Sequence, residues 1–330
     1  MKFAFTEDQL AFRDAVVEVF EQHANAAQLR AAWSNSTGRT AHAWKHLHDM
    51  GVLDAMRTEA DGGLGLSEID VVLIAEASGK FALAEPLIET MLVAAPLGLV
   101  VSGESAAVVC PEAPLAVWAD SSATVIELTS NGIASAPRDA LTLRAHTSVD
   151  CARRLFDVGS VAAATRATTD PNLANTALAF RRAALGTAAQ LLGLADRMIA
   201  MTVDYAKERK QFGVPIGSFQ AMKHHLANAR IKLEFARPLV YRSAASLRDS
   251  DPEAGQHVHM AKAAASDAAA IAGKVALQCH GAIGYTTEYD LHLYLKRSWA
   301  LNATWGGAAW HRAQLRTALL APSHHKEAIA

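Results

Sequence analysis

The sequence predicts a mainly α-helical protein with one small β unit set between two helical regions. Three observations carry this. The chain is rich in alanine and leucine, with 51% hydrophobic but only 6% aromatic residues, a composition that suits packed helices better than sheets. Apolar residues recur at helical spacing through the first hundred residues and again from about Asn172. Between them, residues 105–160 break into short β-branched runs cut by Pro, Asn-Gly and Ser. The 330 residues allow more than one domain. We divide them into an N-terminal helical domain (1–104), a reduced middle β domain (105–160) and a C-terminal four-helix bundle (161–330).

In chain order, Thr6 followed by Glu-Asp-Gln reads as a helix N-cap with acidic residues in the first turn, and Leu10, Ala11, Val17 and Phe20 supply an apolar face. "AHAWKHLHDMGVLDAM" (41–56) predicts a helix stopped by Gly51, and "DGGLGL" (61–66) a loop. Ser67 caps the next helix, whose Ile69, Val72, Leu73 and Ala77 keep helical register. A further helix is expected over about Ala84–Val101, with Pro86 tolerated in its first turn. In the middle region "VIEL", "SNG" and "IAS" form a hairpin signal. About 55 residues (105–160) are few for a sheet to bury its own face, so the unit should lean on a neighbour.

From Asn172 a long helix runs to "YAKERKQ", with Leu185, Ala188, Leu192, Ala195, Ile199, Thr202 and Tyr205 in register. "FGVPIG" breaks it and Ser218 should cap a second. Asp251 and Pro252 open a third that lasts to Gly281, and a fourth runs from about Tyr289 to near Gly306. Long helices joined by short breaks make a bundle.

A formal net charge of −2 with no Lys/Arg run leaves no footprint for nucleic acid. Cys110, Cys151 and Cys279 have no spacing that suits zinc or a disulfide frame. They read as reduced thiols in a cytoplasmic protein. No signal peptide or membrane span is expected: the most apolar window, Met91–Val101, contains a proline and falls short of about 20 residues. The paired histidines (His46/His48, His224/His225, His257/His259, His324/His325) lack a third ligand, so no metal site is expected.

Two stretches carry chemistry. In "ERKQFGVPIGSFQ" (208–220) a helix ends with Arg209 and Gln211 at the break, able to meet an anion, and with Phe212 offering a flat face. An ordinary cationic helix C-terminus explains the same residues. In "QCHGAIGYTTEYDLHLYLKR" (278–297), Gln278 ends a helix, and Gly281 and Gly284 let the backbone approach a neighbour. Helix-ending glycines alone are common.

Together these stretches resemble the acyl-CoA dehydrogenase family, and "FTEDQLAFRDAV", "WKHLHDMGVLDAM" and "DGGLGLSEIDVVLIAEASGK" resemble its opening helices. The resemblance covers roughly residues 1–100 and 172–320. It implies a helical domain, a β domain and an oligomerising four-helix bundle. It also implies FAD shared across a subunit interface, an acyl-CoA substrate and an electron-transferring flavoprotein as acceptor. The family's contacts to the adenosine-diphosphate half of FAD fall on Arg209, Gln211, Phe212, Gly213, Gln220, Gln278 and Gly281.

The family's catalytic carboxylate is absent. The Tyr-Glu-Gly-Thr loop, nine residues after the Arg that corresponds to Arg297, is here Trp305-Gly306-Gly307-Ala308. The alternative base position on the long helix falls at Ala183 or Ala184. Glycine and alanine accept no proton, and general-base catalysis needs a group within hydrogen-bond reach. Asp170, Asp196 and Asp204 stand at no matching position, so no catalytic residue is assigned. The β-domain motifs that hold the flavin ring are also missing. The resemblance is therefore to the shortened, non-catalytic subunit of a heteromeric dehydrogenase, two chains paired with two of a longer homologue, as used in steroid side-chain breakdown. The alternative is a homo-oligomer that binds flavin or acyl-CoA without dehydrogenation; a third possibility is a dehydrogenase with a relocated base.

Overall fold

A computed structural model describes residues 4–320; His324 and His325 lie outside them. The N-terminal region is built from α1 (Glu7–His23), α2 (Ala26–Ser34), α3 (Ala41–Asp49) and α4 (Glu68–Lys80). Thr6 and Gln9 form a reciprocal capping box on α1, and Ser67 and Asp70 do the same on α4. As expected, the helix that starts at Ala41 is stopped by Gly51: α3 ends at Asp49, the Gly51 backbone (φ +75°) leaves the helix, and residues 50–56 run on outside it. The helix expected over 84–101 is shorter: residues 87–88 are helical and Glu89–Ala94 form a π-helical segment, all six of its residues buried. π segments are uncommon and concentrate at functional sites.

The middle region holds β1 (Ala106–Val109), β2 (Ala116–Val117), β3 (Thr124–Thr129), β4 (Gly132–Pro137), β5 (Leu143–His146), β6 (Leu155–Val158) and β7 (Thr168–Asp170). The expected hairpin is present: β3 and β4 pair antiparallel from Thr129↔Gly132 to Thr124↔Pro137. One sheet has the order β1-β3-β4-β7 with β1 and β3 parallel, and the other β2-β6-β5. β7 joins the sheet beyond residue 160, and its Thr-Thr-Asp sequence carries no apolar alternation to announce it.

β1, β3 and β4 lie against the helices: Val108, Ile126, Leu128 and Ile133 belong to the main helical core. The other faces of these strands, with Val109, Val125 and Ala134, form a small second core together with Phe156 of β6. Thus the β unit does lean on its neighbour.

The C-terminal region consists of α5 (Leu173–Glu208), the two-residue strands β8 (Lys210–Gln211) and β9 (Val214–Pro215), α6 (Gln220–Arg248), α7 (Ala254–His280), α8 (Leu291–Ala303) and α9 (Ala308–Leu320). Asn172 caps α5 by accepting from the amides of Ala174 and Asn175. Ser218 does not cap α6. Its hydroxyl donates to Pro215 O at 2.7 Å, and Phe219 takes the N-cap position with no side-chain bond. The fold is mainly α with a small β portion, and α5 is its axis. α4 and α5 touch backbone to backbone: a Cβ on Gly193 would meet Glu76 O at 2.0 Å, and one on Gly79 would meet Gln190 O at 2.0 Å. Arg297 of α8 ties the three regions together. It pairs with Asp150 in the β unit and donates to Ala82 O (2.9 Å) and Leu83 O (2.6 Å), all buried.

Candidate functional site

α5 and α7 pack directly side by side and run parallel, Gly255 lying against Arg181, Gly273 against Met198 and His280 against Tyr205, so their C-termini emerge at the same end of the bundle. Tyr205 and His280, one near each C-terminus, stack at 4.4 Å, and Tyr289 closes on both rings at 5.8 and 4.8 Å. This aromatic cluster joins the two sequence stretches into one surface. No motif announces it; the signal available in the sequence is the register of Tyr205 on the core side of α5.

On that surface Arg209 is the C-cap of α5, and its carbonyl accepts from Ile216 N at 2.8 Å, closing the loop 209–216. Gln211 pairs with Val214 across a two-strand hairpin. Phe212 and Gly213 form its tip, both in the left-handed region at φ +52° and +81°. That conformation costs a phenylalanine about 1–2 kcal/mol, and the return is a ring that is 92% exposed and edge-on to Phe219 at 6.3 Å. Gln220 opens α6, and Gln278 lies in the last turn of α7, both exposed. Gly281 adopts φ +64°, ψ −138°, a conformation open only to glycine, with nothing within 4 Å of where a Cβ would stand. Among the described residues, the side chains of Arg209, Gln211, Gln220 and Gln278 make no hydrogen bond. The surface thus presents a guanidinium, three amides, one aromatic face and two bare backbone positions to the outside. That donor set suits a pyrophosphate and a heteroaromatic ring brought by another molecule.

The base position is different. Trp305 (φ +58°) and Gly306 (φ +86°) break the chain between α8 and α9. Trp305 is 1% exposed and packs edge-on to Phe180 of α5 at 5.9 Å. Ala183 and Ala184, one turn further along α5, are fully buried. A Cβ at Gly306 would lie 2.7 Å from Trp310 Cε3 and 2.9 Å from His311 Nε2. Lys262 of α7, fully buried, donates from Nζ to Gly306 O (3.0 Å) and Leu301 O (3.3 Å). Burial without a carboxylate partner pushes its ammonium down to about 7.

The other carboxylates do not converge here. Asp170 bonds Asn175, Asp196 pairs with Arg230, and Asp204 with Lys207. Glu89, on the π-helical segment, is buried, and desolvation raises its pKa against the opposing charges of Arg153 and Arg297. Sequence reading passed over it because a lone Glu in an apolar run gives no pattern. Separately, a cavity of about 470 Å³ opens between Leu97 and Leu99, the sheet residues Ile133 and Ser135, and Leu178 and Arg182 of α5.

The chain thus combines a helical domain, a small β unit and a helical bundle, with Arg209, Phe212 and Gln278 exposed at one end. Comparison with known proteins agrees. The acyl-CoA dehydrogenase N-terminal domain matches residues 6–111 and the acyl-CoA dehydrogenase C-terminal domain residues 172–320. The chain is 31% identical over 303 residues to acyl-CoA dehydrogenase IpdE2 of Mycolicibacterium smegmatis, covering 89% of this chain and 93% of that one. Among solved structures, the ChsE4-ChsE5 complex from Mycobacterium tuberculosis has a similar fold, with a TM-score of 0.86 at 19% identity over 98% of this chain and 100% of the other. So does the Tcur3481-Tcur3483 steroid acyl-CoA dehydrogenase, with a TM-score of 0.81 at 21% identity over 95% and 98%. The chain belongs to the acyl-CoA dehydrogenase family.

Proposed function

We propose that this chain is one subunit of a heteromeric, FAD-dependent acyl-CoA dehydrogenase that introduces an α,β double bond into an acyl-CoA. A longer homologue supplies the catalytic base and the flavin-ring pocket, and this chain completes the partner's FAD site. One observation carries the reading. The residues matching the family's contacts to the FAD tail stand exposed at one end of the bundle, while both base positions are buried and hold no carboxylate.

FAD, when bound, would supply the hydride acceptor for the acyl β carbon. Toward it, Arg209 would neutralise pyrophosphate charge, Phe212 would cover the adenine, and Gln211, Gln220 and Gln278 would bond its polar edges. Gly213 and Gly281 would let the backbone come close. The likeness to a steroid enzyme and to a two-component complex supports a steroid side-chain CoA thioester as substrate and a heterotetramer as the assembly. The family supports an electron-transferring flavoprotein as acceptor. No described helix is long and apolar enough to cross a membrane.

The test is made on the co-expressed complex. An arginine–phosphate bond contributes about 1.5–3 kcal/mol, so Arg209→Gln should weaken FAD binding about ten- to hundredfold. Phe212→Ala should also lower flavin content without lowering stability, since its ring is 92% exposed. Unchanged flavin in both variants would refute the assignment. The second reading, a homo-oligomer that binds acyl-CoA, is favoured by the 470 Å³ cavity with its apolar wall and Arg182, a size suited to a small ligand. It requires acyl-CoA binding by the chain alone.

A further inference from the structure

Two consecutive carbonyls of the 304–307 loop are each held by a buried cationic or imidazole side chain. Lys262 Nζ donates to Gly306 O at 3.0 Å, and His311 Nε2 meets Trp305 O at 2.8 Å. A carbonyl only accepts, so His311 carries its proton on Nε2 and its Nδ1 is left as an acceptor. His259 Nδ1, 2.8 Å from that atom, must then donate. The tautomers of both rings are fixed by one loop carbonyl. Neutral rings are what burial favours: His311 is pushed down to about 3, and His259 is lowered by desolvation and by Arg181. Lys262 Nζ also reaches Leu301 O (3.3 Å), Asn302 O (3.5 Å) and Ser266 Oγ (3.4 Å), so it caps the last turn of α8 while it holds the loop. Trp305, pinned between these two anchors, is buried against Phe180.

We propose that Lys262, His311 and His259 form a lock that holds Trp305 as a plug across this chain's own base position, so that the chain carries a permanently closed site. The closure is built from several residues and is not the consequence of one lost glutamate. It rests on the motif resemblance that matches Gly306 to the family's base position and does not depend on whether the partner is a longer homologue.

The lock is tested by hydrogen–deuterium exchange of peptides spanning 300–308 in the protein as it purifies, with its partner if one co-purifies. Lys262→Met should speed exchange of these amides at least tenfold, and His311→Gln several-fold, while peptides of α1 to α4 exchange as in the wild type. Equal loop exchange in wild type and both variants would overturn the proposal. If Lys262→Met fails to fold, Trp305→Ala decides. Its vacated volume should bind indole, seen as a rise in melting temperature absent from the wild type. No rise with indole would overturn the plug. Because FAD content plays no part in these readouts, failure of the lock leaves the heteromer reading standing, and the reverse also holds.

Discussion

Restoring a glutamate at position 306 is the most direct perturbation of the closed base position, and the structure predicts that it fails. Gly306 sits at φ +86°, where a side chain costs about 1–2 kcal/mol. Its Cβ would meet Trp310 Cε3 at 2.7 Å and His311 Nε2 at 2.9 Å, so His311 must move and give up its 2.8 Å bond to Trp305 O. A broken buried hydrogen bond costs about 1–3 kcal/mol. The sum, about 3 kcal/mol, corresponds to roughly a hundredfold shift in the unfolding equilibrium. Gly307→Glu is the control, since a Cβ there meets only Asn302 O, at 3.9 Å. Urea denaturation of the two variants beside the wild type measures the difference. Gly306→Glu should lose about 3 kcal/mol and gain no proton abstraction, whereas Gly307→Glu should stay within about 1 kcal/mol of the wild type. A Gly306→Glu protein as stable as the wild type that exchanges the α proton of an acyl-CoA would refute the reasoning.

Three further outcomes follow from the same contacts. Gly193→Ala places a Cβ 2.0 Å from Glu76 O and should cost about 1–3 kcal/mol in urea denaturation by pushing α4 off α5. Asp150→Asn removes the charge partner of the buried Arg297 and should cost about 3–5 kcal/mol, read in the same way. Since His311 is held down to about 3 in the folded chain and titrates near 6.5 when unfolded, the unfolded state binds more protons between these values. Its contribution is therefore present above pH 6.5 and lost as pH falls, by about 2 kcal/mol at pH 5; His311→Gln should flatten that part of the stability–pH profile.

Much of the fold is legible in the residues because its signals are local. The Thr6–Gln9 and Ser67–Asp70 boxes, the Asn172 cap and the Ser130-Asn131 turn each act within four residues, and the bundle helices repeat their apolar positions for many turns. What is not legible depends on distant partners. The parallel pairing of β1 with β3 and the edge strand β7 leave no adjacent-hairpin signal. The π-helical segment comes from its packing, with every one of its residues buried. The motifs that hold Arg209, Phe212 and Gln278 are each readable in the sequence, but the Tyr205–His280–Tyr289 cluster that brings the two stretches together joins residues far apart in sequence. Lys262 was hidden for the opposite reason. It lies on the apolar stripe of α7 among Val258, Ala261 and Ala265, and a single cation there is meaningful only once the loop carbonyls around it are known.

The central claim is that this chain offers half of a cofactor site and none of the proton chemistry. Flavin absorbance set against the intact mass of the co-purified complex tests it most directly. The account predicts one FAD for each pair of one short and one long chain, and a colourless preparation of the short chain alone. A short chain that purifies by itself with one FAD per subunit and oxidises an acyl-CoA would contradict it.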